Sequence, residues 1–433
     1  MKNDSKPRLR RCAARLLVTL AILLSASQVS LGYSVLTHQA IIDSTWDNSI
    51  KPLLVARFPQ ATAEELRQAR AHAYGGSIIQ DMGYYPFSSK FFSDLTHYVR
   101  SGDFVENLIG EARTLDELAF ALGALSHYAA DNSGHSVGTN RAVPVVYPEL
   151  KARHGDEVTY EESPSAHVKT EFGFDVIQIA RGNYAPEAYH DFIGFKVEKD
   201  LLGRAFKRTY SLELKEIFAS LDLAIGTYRR TVSGLIPEMT KVAWETKKDE
   251  IEKLTPGITR SRFVYTLSRA SYEQEFGREY EKPGFWAKTT AMFFRVMPKI
   301  GPFKALAFKT PTPEAEQLFL KSTEETINRF KSLLSEVRAN QLRLANRNID
   351  TGRQTRAGDY KLADKAYAEL VDELSDDNFQ SVSPELRRHI LEFYSDLNAP
   401  VEPRKGKSDW QKLISALDRL KRSETRPAEV SNR

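Results

Sequence analysis

One spacing, used twice, limits what this chain can fold into. His127 precedes Asp131 by four residues, and His167 precedes Glu171 by four. On a helix that interval stacks two side chains on one face, one turn apart. His135 follows Asp131 past an Asn132-Ser133-Gly134 sequence that reads as a turn. A lone His/carboxylate pair is ordinarily a solvated helix face. Two such pairs with a third histidine make three imidazoles and two carboxylates, a first-row metal donor set whose nitrogen-rich balance points to zinc. A fold serving that set must bring two helices together in its interior.

The surrounding pattern is helical as well. Thr62 with Glu65, and Thr114 with Glu117, read as capping boxes. The second opens a helix whose Leu115, Leu118, Leu122 and Leu125 form the apolar stripe that carries His127 and Asp131 inward. Ser163-Pro164 supplies an N-cap and a first-turn proline, which places His167 and Glu171 early in a helix that Gly182 closes. His38, Ile41 and Ile42 fit an amphipathic helix that Pro52 ends or kinks. Asp81, between paired glycines and a later proline, is expected in a tight loop, with His97 in the segment after it. Val143–Tyr147 is expected as one short strand. No alternating run is long enough for a sheet core, so the fold class is all-α. Apolar residues are 41% of 433, enough for a substantial core. The net charge of +4 gives no bulk nucleic-acid-binding character.

Residues 1–32 read as a signal peptide. Lys2, Lys6, Arg8, Arg10, Arg11 and Arg15 precede an apolar run from Leu16 to Ser27, which is followed by small residues. Cleavage after Gly32 leaves Tyr33 as the amino terminus, and the protein is expected to be secreted or periplasmic. Cys12, the one cysteine, lies inside that signal, so the processed chain has no disulfide to offer. No later run of eighteen apolar residues is present, and the processed chain is expected to be soluble.

Taken together, His38, Asp81, His97, His127, Asp131, His135, His167 and Glu171 resemble the ligand series of the zinc-dependent phospholipase C superfamily. That all-helical fold also includes single-strand-specific zinc nucleases and the amino-terminal domain of glycosylphosphatidylinositol-specific phospholipase D. The resemblance implies a cluster of up to three zinc ions in which the mature amino terminus is itself a ligand. The separate signal-peptide reading puts Tyr33 five residues before His38, which is the family's spacing. By that resemblance Asp81, His97, His127 and Asp131 hold one ion, and His135, His167 and Glu171 hold a second. His38 with the amine and carbonyl of Tyr33 holds a third, with Asp131 bridging the first and third. Asp81 and Asp131 are the expected catalytic carboxylates, Asp81 as ligand or as general base. Tyr33 stands where the family usually has Trp. The Asp131-to-His135 interval is shorter than in the short bacterial phospholipases and in the nucleases, and resembles the glycosylphosphatidylinositol-specific branch. Ser126, Asn132 and Asp175 are candidate partners for the outer nitrogens of ligating histidines, while His72, His154, His190 and His389 are taken as structural or surface residues.

The implied activity is hydrolysis of phospholipid headgroups, of phospholipase C type, by metal-activated water. Alternatives are a single-strand zinc nuclease of the same fold, phospholipase D-type cleavage, or a non-catalytic structural zinc protein. The catalytic domain is read as 33–255, followed by a helical region over 256–420 and a polar tail over 421–433. Within that region 283–309 combines Phe285, Trp286, Phe293, Phe294, Phe303 and Phe308 with lysines and arginines and no acidic residue. It is a candidate membrane-interface segment; the competing reading is an aromatic hinge against the core.

Overall fold

Helix starts in this protein follow its capping chemistry. The computed structural model describes residues 34–184, 195–254, 256–264, 308–397 and 407–423. α1 (Val35–Thr45) passes through one π-helical turn, Trp46–Ile50, into α2 (Lys51–Arg57). Pro52 therefore begins a helix where it was expected to end or kink one: in a first turn its missing N–H has no partner to lose. α3 (Ala63–Gly76) opens on the Thr62/Glu65 box, in which Glu65 N donates to Thr62 Oγ1 at 3.2 Å and Thr62 N donates to Glu65 Oε2 at 2.7 Å. A 3₁₀ turn, Ile79–Tyr84, carries Asp81, and α4 (Lys90–Tyr98) carries His97.

α5 (Ser101–Glu111) leads to α6 (Leu115–Ser133). Thr114 caps α6, taking Glu117 N at 3.1 Å, but Glu117 reaches back to Arg113 N at 2.7 Å, so the reciprocal half of that box is displaced by one residue. The sequence after α6 departs from expectation twice. Asn132-Ser133-Gly134 makes no turn: the chain continues into a π-helical turn, Gly134–Thr139. The expected strand at Val143–Tyr147 is instead helical, most of it within α7 (Asn140–Val146). Short apolar runs suit either state, and here the helix is propagated from the turn before it. α8 (Pro148–His154) and α9 (Pro164–Ala180) follow, with Gly182 at φ +69° just past the end of α9. Ser163 makes no side-chain cap, so Pro164 alone marks that start.

α10 (Lys199–Tyr210), α11 (Leu214–Ile217), α12 (Leu221–Leu254, bent at Lys247) and α13 (Arg260–Phe263) complete the first half. The second contributes α14 (Pro313–Arg338), α15 (Lys361–Ser375), α16 (Pro384–Phe393) and α17 (Lys407–Arg422). Among the described residues there is no sheet, only an isolated bridge between Asn348 and Arg353, and no helix is long and apolar enough to cross a membrane.

α6 is the axis: every residue from Glu117 to Asp131 is buried. α3 crosses it at backbone contact, because a Cβ on Gly76 would overlap the Phe120 carbonyl and one on Gly123 the Ala73 carbonyl. α5 and α14 cover other faces of α6, and α14 also lies over the π turn and α7. Arg181 ties α9 to α12 through Glu250 at 2.9 Å and to α14 through Glu316. From Leu342 to Gly352 the chain runs without regular structure along α5 and α6. Tyr128 Oη donates to Ala345 O at 2.7 Å, Ser101 Oγ to Arg347 O at 2.6 Å, and Asp103 N to Asn346 Oδ1 at 3.0 Å.

Candidate metal centre

Four helices and two irregular turns deliver the donors. α1 supplies His38, the 3₁₀ turn Asp81, α4 His97, α6 His127 and Asp131, the π turn His135, and α9 His167 and Glu171. All eight are buried. They fall into three sets: His38 with His127 and Asp131; Asp81 with His97 and His127; and His135 with His167 and Glu171. Asp131 is the hub. Its Oδ1 lies 3.5 Å from His38 Nε2, while its Oδ2 lies 3.2, 3.6 and 3.7 Å from the Nε2 atoms of His127, His97 and His135. His97 Nε2 is also 3.4 Å from Asp81 Oδ1.

The donor set fits metal ions. Two ligands at about 2.1 Å from one ion in tetrahedral array stand roughly 3.4 Å apart, which is the spacing these nitrogens and oxygens keep. Both oxygens of Asp81 and Asp131, Nε2 of His97 and His127, both nitrogens of His135 and Glu171 Oε2 are buried without a hydrogen bond. Each such atom costs on the order of 1–3 kcal/mol. A cation among them removes that cost, and an apolar core could not.

Behind the inward atoms, the outer nitrogens are anchored. His97 Nδ1 lies 2.8 Å from Ser93 O, His127 Nδ1 3.0 Å from Ser77 O, and His167 Nε2 2.7 Å from Asn140 Oδ1. The expected partners Ser126, Asn132 and Asp175 do other work. Ser126 bonds Gly123 O and Asn132 bonds Tyr128 O, both within their own helix. Asp175 instead caps α1, accepting Leu36 N at 3.2 Å and Thr37 Oγ1 at 2.6 Å, and burial pushes its carboxyl up to about 6. Asn140 and the main-chain carbonyls left no sequence signal, since any residue supplies a carbonyl.

The charges are interlocked. Burial opposes charge on His97, but contact with Asp131 and Asp81 outweighs it and pushes the imidazole up to about 10. His127 and His135 are likewise raised against their burial, both by Asp131. Burial disfavours ionised Asp131 too, yet the neighbouring His127, His135 and His97 hold it well below the carboxylate range. Burial and then His127 push His38 down to about 3; burial and then His135 hold His167 well below its ordinary value. Glu171 is raised well above its ordinary value by burial and then by Asp131, and burial also raises Asp81.

The other histidines stand apart. His72 lies between Glu198 at 2.8 Å and Asp116 at 3.5 Å, His154 pairs with Glu162 at 3.3 Å, and His389 meets the Tyr367 hydroxyl at 2.7 Å. Tyr33, His190, the signal segment 1–32 and nearly all of 283–309 lie outside the described residues. Of that last segment, Phe308 packs on Phe172 and the Lys309 ammonium sits 4.4 Å from the centre of the Tyr147 ring.

An all-helical protein that buries three interlocked sets of imidazoles and carboxylates has the donors to hold metal ions. Comparison with known families makes this specific: the zinc dependent phospholipase C family matches residues 37–220, which hold all eight donors, and this part of the chain is a domain of that family. No curated protein and no solved structure matches the chain.

Proposed function

We propose that the protein is an exported zinc-dependent phosphodiesterase that hydrolyses phospholipid headgroups by phospholipase C-type cleavage. The observation that carries the reading is Asp131, one carboxylate whose two oxygens face different imidazoles, within a segment that matches this family. Such sharing suits a cluster of ions better than one closed structural site. His97, His127 and Asp131 with Asp81 would hold one ion, His135, His167 and Glu171 a second, and His38 with Asp131 and the Tyr33 terminus a third. Zinc held there supplies Lewis-acid chemistry, acidifying a water and drawing charge from a phosphoryl group.

The chain's own residues do the rest. Asp81 is a ligand of the first ion or, alternatively, the general base: both its oxygens are buried without a hydrogen bond and burial raises its affinity for protons, which suits it to take a proton from the attacking water. Asp131, kept ionised by its imidazoles, holds the donor sets at fixed separation. The Ser77 and Ser93 carbonyls orient His127 and His97. Residues 33–255 form the catalytic domain in this reading and 256–420 a helical region built onto it, with 283–309 as the segment that meets the lipid surface.

The test is incubation of the processed, zinc-loaded protein with mixed phospholipid liposomes, with products identified by mass spectrometry. Diacylglycerol is expected, and a chelator should abolish it. Phosphatidic acid would move the activity to D-type cleavage, and cleavage of single-stranded nucleic acid alone would overturn the lipid assignment. Activity should fall to background in His127→Ala; normal turnover there would remove the metal cluster from the mechanism.

A further inference from the structure

His167 is held by a polar chain that begins outside the family-matched segment. The main-chain carbonyl of Asp350 can only accept a hydrogen bond, and it takes Nδ2 of Asn140 at 2.9 Å. That contact fixes which way the amide points. Its Oδ1 must then face His167 Nε2, at 2.7 Å. Oδ1 also only accepts, so Nε2 carries the hydrogen, and a neutral ring keeps its lone pair on Nδ1. Nδ1 is the nitrogen 3.0 Å from Glu171 Oε1, inside the His135, His167 and Glu171 set.

The carbonyl that starts the chain is itself fixed. Asp350 Oδ2 accepts from Tyr98 Oη at 2.8 Å and from Tyr360 Oη at 2.9 Å. Asp350 N donates to Asn348 Oδ1 at 3.0 Å, and Ile349 N donates to the carbonyl of His97 at 3.1 Å. Asn140, His167, Asn348 and Asp350 are all buried, so water does not compete for these bonds. Turned the other way, the Asn140 amide would set oxygen against oxygen at Asp350.

We propose that Asn140, keyed by the Asp350 carbonyl, is a positioning residue that sets the His167 tautomer for metal, so that the 348–352 turn of the C-terminal half completes the second donor set. The inference rests on the zinc reading above and deepens it. It gives the region beyond the family domain a defined task at the centre.

The experiment measures zinc retained by the full processed protein against graded chelator, together with the visible spectrum of the cobalt-substituted form. Asn140→Leu should weaken one ion by roughly 10–100-fold while the others stay, and should change the cobalt spectrum. Asn140→Asp keeps an acceptor for Nε2–H but sets its second oxygen against the Asp350 carbonyl, so it should recover only part of that affinity. Tyr360→Phe removes one of the two hydroxyls on Asp350 and should weaken the same ion several-fold, which keeps the test open if the leucine variant does not fold. Wild-type retention of every ion in both Asn140→Leu and Tyr360→Phe overturns the proposal, as does an Asp variant that holds every ion as tightly as the wild type. A wild-type protein that binds no zinc at all overturns the zinc reading itself, a separate and recognisable result.

Discussion

Asp131 decides how the site behaves toward protons. His97, His127 and His135 are raised in affinity for protons by it, His38 on its other oxygen is lowered by burial, and Glu171 and Asp81 are raised by burial. In the metal-free protein His97, raised to about 10, therefore holds a proton at neutral pH that a metal must displace, because only neutral imidazole and ionised carboxylate ligate. For groups whose values are raised, the proton-bound form persists until pH passes the folded value, about 10 for His97. Zinc affinity is thus expected to rise from pH 6 to 8, with at least one proton released on binding. Calorimetric titration with zinc in two buffers of different ionisation enthalpy reads that number; release of none would mean that the imidazoles are already neutral. At this scale the sequence was informative where chemistry follows spacing: His127, Asp131, His167 and Glu171 declare themselves by the four-residue interval. Asp81, His97 and His38 do not, and their place came from resemblance to the family's ligand series.

At the scale of elements, the α6-to-π transition determines whether those donors meet. Asn132, Ser133 and Gly134 are poor helix formers, and a turn was a reasonable reading of them. The structure keeps the chain helical because α14 covers it: Gly138 lies so close to Ser322 that a Cβ would meet Ser322 Oγ at 2.5 Å. The wider π turn then rotates His135 out of strict α register, a device that recurs at functional sites. No local pattern could show this, since the covering helix lies far away in sequence. The crossing of α3 and α6 is equally non-local. Gly123→Ala should force the two backbones apart and destabilise by about 3 kcal/mol or more, because the obstacle is a carbonyl rather than a movable side chain. A urea midpoint unchanged by that substitution would show that the helices can separate freely. The displacement would also carry His127 and Asp131 away from Asp81, so zinc content should fall with stability.

The molecule as a whole is joined by contacts that composition and periodicity do not encode. Residues 342–352 lie along α5 and α6 through main-chain groups, and main-chain bonding has no residue signature, which is why the second half gave no hint of reaching the centre. Further along, α15 packs on α4, and His389 Nε2 of α16 lies 2.7 Å from the Tyr367 hydroxyl of α15. Burial, then the nearby Arg100, pushes His389 down to about 4, with Asp103 opposing and Arg388 adding to the effect. A value lowered in the fold means stability that is complete above the unfolded value, near 6.5, and lost as pH falls toward the folded value, near 4. Between those limits the unfolded chain takes up a proton that the folded one refuses. Replacing His389 with Gln keeps a hydrogen-bond partner for Tyr367 but removes the titration. Below pH 6.5 the wild type should lose thermal stability faster than His389→Gln, so any advantage it holds at pH 7 shrinks toward pH 4. His38 and His167 are lowered too and contribute acid lability of their own, but they remain in both proteins and cancel in the comparison. Melting temperatures of the two metal-free proteins measured across pH 4 to 7 decide the matter: a constant gap would mean that His389 titrates alike folded and unfolded, and that the packing of α16 on α15 does not exclude its charge.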